Sequence, residues 1–475
     1  RGLGDVYKRQ SMSNAQIAAL STSALSVMDS DQFTGALKAD QIRALTTAQA
    51  AALTGAALRG LDKKITFMTD ADFAALSSEQ LGQLSDPQLA ILAPRQIALI
   101  DWKKLDGLAI DKLGAAQIGG LRALQIQHLS DDALAKITPT AIQGWNADQI
   151  KQLSSPQLEK LTPEQIGGIR PSSLPGLTTD AIAKLDISQL QGLTAAQVSK
   201  LSATQVKAIG TDIAGFSPSQ INAMNLPQLT GLTADQLASL TPDRITAIKP
   251  AALAGLSAER IGELSALQVA GMTSEQLSKL NKAQIQAMDP ADIASIATDS
   301  IRGFEMRQLS ALTGAQLAQL TTDQIAAIKP VQLSSFTSQQ LNALSDDQIG
   351  AMKPAQIKGL APAAIPGLNE SLIAALGLDN LNALTQAQVQ ALTAKQLTWI
   401  PKEDFQKWAG AEIALLTAKQ LGSLTTDQLA VMNYQQFDSL AYAQKLGLLT
   451  KAQVAAIDPM TMASVDESTI KKLSL

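Results

Sequence analysis

The 475-residue sequence has no cysteine, a single histidine and only 3 % aromatic residues. The missing thiols exclude disulfides and thiolate metal sites, although they leave the compartment open, since exported bacterial proteins also do without cysteine. With so few aromatics, the core must be built from Leu, Ile and Ala, which dominate the 46 % hydrophobic fraction. Charged residues make up 17 %, below the usual quarter, and they balance to a net charge of −4. That balance leads us to expect no nucleic-acid partner. No apolar run approaches the roughly 18 residues of a membrane span. G-x-S-x-G, P-loop and H-E-x-x-H patterns are also missing, so no enzyme, cofactor or metal centre is expected.

What the sequence does contain is one small unit, repeated. From Thr321 to Leu360 it reads TTDQIAAI, KPVQLSSF, TSQQLNAL, SDDQIGAM, KPAQIKGL. The register runs from Ser13 to Leu473 through about 58 units, of which about 53 are eight residues long. Units of other lengths begin near Asp29, Asp62, Ala109, Gly210 and Ala441. The consensus is [S/T/D/N/K]-x-x-Q-[L/I]-x-[A/G]-[L/I]. Position one carries N-cap residues, and the Gln three residues later completes a capping box. Positions eight and five stand in the relation of a hydrophobic staple. Twelve of the 18 prolines fall at position two, the first helical site, where proline costs least. Pro87, Pro156 and Pro227 sit one residue later, and Pro401 takes a cap position. Pro175 and Pro366 fall at position six and should distort their units.

Each unit therefore reads as one helix of about two turns, roughly 10 Å long. Such a helix does not hold alone in water, so the units must stack, with positions five and eight facing one core. Ala or Gly at position seven would let neighbouring helices approach closely. The expected fold is all-α, a superhelical solenoid of about 58 two-turn helices. A 40-residue period lies over the repeat, with unusual caps at Arg170, Gly210, Lys249, Asp289, Lys329 and Asn369. Either five helices complete a whole number of superhelical turns, or 40-residue blocks were duplicated.

Candidate chemistry is sparse. The Gln column suits either a ligand ladder or the capping box, and the spacing favours capping. His128 stands at the variable position seven with no acidic cluster beside it. The acidic pairs Asp29/Asp31, Asp131/Asp132 and Asp346/Asp347 suit caps and first turns, where they complement the helix dipole. Lys249, Lys329 and Lys353 are poor caps and read as solvated surface. Aromatics thicken from Trp399 to Tyr442: Phe405, Trp408 and Phe437 fall in core columns, whereas Trp399, Tyr434 and Tyr442 fall outside them. These last three are the candidate partner-binding residues.

The stretch LTPEQIGGI, from Leu161, resembles the opening of the DNA-reading repeats of transcription-activator-like effectors. It covers about eight residues and has no counterpart of their base-reading loop. From Ser13 on, the chain resembles the tandem LTxxQ[IL]xxL tracts of very large bacterial surface or secreted proteins. That resemblance implies an exported, extracellular or surface-bound protein with a stalk or adhesive role. Arg1–Gln10 fits no repeat and resembles a translated sequencing-adapter remnant. Residues 1–12 are accordingly expected to be a non-native leader, 13–473 one continuous repeat array, and 474–475 the start of a further unit. The functional expectation is a rod-like spacer, stalk or scaffold. The alternatives are a solenoid that binds a protein or surface polymer, and a self-assembling filament subunit.

Overall fold

The computed structural model describes residues 10–27, 36–471 and 473. The leader up to residue 9, the Asp29/Asp31 pair and residues 474–475 lie outside them. The described residues are all-helical with no strand, and no helix among them is longer than the nine residues Tyr434–Tyr442. The chain divides into two compact units, Arg1–Ser239 and Leu240–Leu475.

One repeat shows how eight residues close a helix. In Thr321–Ile328 the cap Thr321 is extended (φ −71, ψ 158) and Thr322–Ala327 is helical. Ile328 is extended again (φ −62, ψ 131). The Thr321 hydroxyl accepts from the Gln324 N–H at 3.1 Å, and the Gln324 Oε1 accepts from the Thr321 N–H at 2.8 Å. Two extended residues then redirect the chain into the next helix, without a loop. Positions five and eight are buried along both units, as at Ile325, Ile328, Leu341 and Ile357, apart from a few residues near the ends such as Leu20, Met462, Val465 and Ile470, which are half-buried. Each such side chain contributes about 1.5–3 kcal/mol by leaving water.

Within each unit the helices coil so that a helix packs chiefly against the one three repeats away. Ser155–Glu159 packs on Thr179–Ile182 in the first unit, and Ala258–Gly262 on Lys282–Ala287 in the second. Position seven lies at this contact. A Cβ on Gly192 or Gly359 would collide with the carbonyl of Pro163 or Pro330 in the helix three repeats back. Glycine is required there by close approach.

Where a unit is not eight residues long, the backbone changes. The short units at Asp62, Ala109 and Gly210 form 3₁₀ helices, and Asp62 and Gly210 have positive φ. The long unit at Ala441 merges with its predecessor into Tyr434–Tyr442 and turns at Gln444, also with positive φ. The two units with proline at position six become the 3₁₀ helices Pro171–Gly176 and Pro362–Gly367, because proline there removes an amide donor. The 40-residue period does not correspond to a whole turn. Helices pack three repeats apart and side chains bridge four, so five repeats span more than one turn and less than two. Duplication of 40-residue blocks fits the structure.

Candidate functional site: a glutamine ladder and two aromatic surfaces

The Gln column does more than cap. Its Oε1 accepts the cap amide, and its Nε2 donates to carbonyls 28 and 31 residues earlier, at positions eight and five of the fourth repeat back. Gln356 Nε2 lies 2.7 Å from the Ile325 carbonyl and 2.8 Å from that of Ile328. Gln165 reaches Leu134 and Ile137 at 2.8 and 2.7 Å, and Gln436 reaches Phe405 and Trp408 at 2.7 and 2.8 Å. The position-eight carbonyl ends its helix without an intrahelical partner, and here it is buried. One amide therefore satisfies a cap at one end and an orphan carbonyl of the preceding coil at the other. Each rung contributes about 1 kcal/mol net, and an unmet buried carbonyl costs about 1–3 kcal/mol.

At several positions without Gln, other donors take the rung. Lys104 Nζ bonds the carbonyls of Ala74 and Leu76 at 3.0 and 2.8 Å, and Lys445 Nζ bonds those of Ala414 and Leu416 at 2.5 and 2.7 Å. Ser173, Asn380 and Thr461 each reach one carbonyl at 2.8, 3.1 and 3.2 Å. Four positions in the column of eight-residue units, Asp72, Asp292, Asp404 and Glu412, carry acids that cannot donate when ionised. Burial raises the Glu412 carboxyl above its ordinary range, with Lys358 opposing, and its Oε2 is buried without a partner. Burial, and then the charge of Asp289, raises Asp292 likewise. A length error also propagates along the ladder: Gln96 stands four repeats after the short unit at Asp62, and its Nε2 has no partner.

This inter-coil role was not foreseen, and the signal for it was the amide. A capping box accepts Glu as readily as Gln, yet Glu occupies the column once, at Glu412. The substitutes Lys104, Lys445, Ser173, Asn380 and Thr461 share only the ability to donate.

The predicted partner residues do not come together as one patch. Trp399 is half-buried at the end of its helix, with the Lys395 ammonium 5.4 Å from its ring centre. Tyr434 and Tyr442 open and close the helix Tyr434–Tyr442 and are 47 % and 91 % exposed. Eight residues of helix turn through about 80° beyond two full turns, so the two rings leave on different faces. Phe405, Trp408 and Phe437 are core residues, as their columns require. Lys249, Lys329 and Lys353 are exposed and make no side-chain cap bond. His128 is stacked on Trp102, with ring centres 4.0 Å apart. Sequence reasoning missed this pair because the partners lie 26 positions apart on adjacent coils.

Residues 325–362 match the family model of the ALTTAQ repeat. The repeat identity of the chain is thus supported there by its most regular stretch. No curated protein matches the sequence. Among solved structures, the chain is similar to APUM23-deletion-of-insert-region-GGAAUUGACGG, at 11 % identity and a TM-score of 0.20, covering 98 % of each chain. It is also similar to APUM23-GGAUUUGACGG, at 11 % identity and a TM-score of 0.18, covering 99 % of this chain and 98 % of that one. These structures carry an RNA sequence in their names, and the expectation that nucleic acid is excluded as a partner is corrected accordingly. The physical reason is that net charge is a sum over the chain, whereas a nucleic-acid contact needs only a local row of cations. The chain is a repeat protein, a structural or binding module built of short helices.

Proposed function

We propose that the chain is a non-enzymatic spacer or scaffold, assembled from interchangeable eight-residue steps. The observation that carries this reading is where the repeated polar chemistry points. The most regular polar side chain, Gln at position four, is buried and spends both ends of its amide on backbone groups of its own and the preceding coil. The positions that face water vary freely among Ala, Ser, Asp, Lys, Pro and Gln. Regularity inside with variety outside suits an object selected for its extent and stiffness. A bacterial surface or secreted setting, in which such a spacer would hold other domains apart, is part of this proposal and rests on the resemblance to LTxxQ[IL]xxL tracts.

Removal of residues 321–360, five whole repeats, tests it. A spacer should stay folded, with unchanged helicity per residue and a reduced radius of gyration in small-angle scattering. Collapse of the remainder, or an unchanged radius, would contradict the reading. A second reading, a binding module, is favoured by one local surface around Trp102.

A further inference from the structure

In the first unit, residues 98–102 of one coil run past the first turn Arg122–Gln125 of the next and leave a groove of about 460 Å³. Trp102 and Leu124 line it from opposite coils and are 36 % and 60 % exposed. His128 stacks on the indole at 4.0 Å and 27°. Its Nδ1 lies 2.8 Å from the Leu124 carbonyl, which holds the proton on that nitrogen in the neutral ring. The Lys103 ammonium lies 5.5 Å from the indole centre. Two acids lie nearby: Asp101, which also lines the groove, accepts from the Lys103 N–H at 3.0 Å, and Asp106 accepts from the Ser130 hydroxyl at 2.8 Å, so the local excess of positive charge comes from the Arg122 and Lys103 side chains together. Arg122 and Lys103 are exposed, and neither has an ion-pair partner among the described residues.

The same inter-coil groove recurs in two other turns of this unit. One is lined by Thr54, Gly55, Ser77 and Glu79, the other by Thr179, Ser202 and Thr204. Neither has an aromatic wall or an exposed large aliphatic. The Trp102 turn is therefore a local departure from the repeat.

We propose that this groove docks an acidic peptide segment. An apolar side chain of the peptide enters between the Trp102 edge and Leu124, and flanking carboxylates pair with Arg122 and Lys103. Charge complementarity selects the acid, and the two apolar walls select the side chain between. A nucleobase fits less well, because base stacking needs a free aromatic face and Trp102 has His128 on its ring and Lys103 close by. The inference is independent of the spacer reading, since a spacer can carry one docking site.

The test is fluorescence anisotropy of the full chain with the labelled peptide Glu-Asp-Leu-Phe-Asp-Glu, beside a labelled ten-residue oligouridylate. Saturable peptide binding is expected, weakened at least tenfold by Arg122→Ser and by Leu124→Ser and unchanged by Thr204→Lys in the equivalent groove. Arg122→Ser supplies a better helix cap, so a loss of binding would not come from unfolding. Absence of saturable binding, wild-type affinity in both Arg122→Ser and Leu124→Ser, or tighter Arg122-dependent binding of the oligouridylate would each overturn the proposal.

Discussion

Two neighbouring stretches of the second unit solve the same problem differently. From Glu305 to Leu360 the ladder is unbroken: Gln308, Gln316, Gln324, Gln332, Gln340, Gln348 and Gln356 each donate to the coil four repeats back. From Ala361 to Leu416 the same column reads Ala364, Leu372, Asn380, Gln388, Gln396, Asp404 and Glu412. There the missing rungs are replaced piecemeal. Trp408 Nε1 donates to the Leu381 carbonyl at 3.2 Å, and Asn382 Oδ1 takes the Ala409 N–H at 2.8 Å. The buried columns do not change character: Ile365, Leu368, Leu381, Leu384, Phe405, Trp408, Ile413 and Leu416 all remain buried. The comparison teaches that the apolar columns are obligatory, whereas the ladder is a local device that can be lost one rung at a time.

The largest way to break that comparison is a charge in the core column. Leu341→Asp, at a fully buried position, should cost more than about 4 kcal/mol and uncouple its flanking segments in urea denaturation. Second comes the ladder itself: Gln324→Glu keeps the cap acceptor but removes the donor and buries a charge, at a cost of about 2–3 kcal/mol. Gly359→Ala should cost about 1–3 kcal/mol, because its Cβ must displace the Pro330 backbone. Thr321→Ala should cost about 1 kcal/mol through loss of the cap bond alone.

In the broken stretch the sign reverses. Glu412→Gln should restore a donor and raise the thermal midpoint. The wild-type carboxyl is raised by burial, so the folded chain favours its protonated form. Its contribution is then most favourable at pH below the ordinary glutamate range and is lost as pH rises from that range through the raised value. The midpoint difference between Glu412→Gln and wild type should widen over that window, as read by circular dichroism melts. A difference independent of pH would mean that Glu412 is solvated.

Much of this was legible because the repeat states its own rules. The Ser/Thr caps, the proline at position two and the apolar spacing gave one short helix per unit, and the distortions at Pro175 and Pro366 followed from the same grammar. The coil period was not legible, because it depends on how extended residues such as Ile328 and Lys329 redirect the chain. The ladder was half legible: Gln324 announced its cap but not the Ile293 and Ile296 carbonyls, which only stacking brings into reach. Trp102 and His128 were opaque for the same reason, since each occupies a variable position and acquires meaning from the adjacent coil.

The most direct test of the ladder compares Gln324→Glu with wild type at neutral pH by native-state hydrogen exchange across Thr322–Ala327 and Pro290–Ile293. Both side chains can cap Thr321, so the variant differs by the lost donor and by the charge it sets against the Ile293 and Ile296 carbonyls. The inter-coil account predicts faster exchange in both helices, by about 30-fold or more for a loss of about 2 kcal/mol. Unchanged protection in Pro290–Ile293 would show that the column only caps, and that the coils are joined by apolar packing alone.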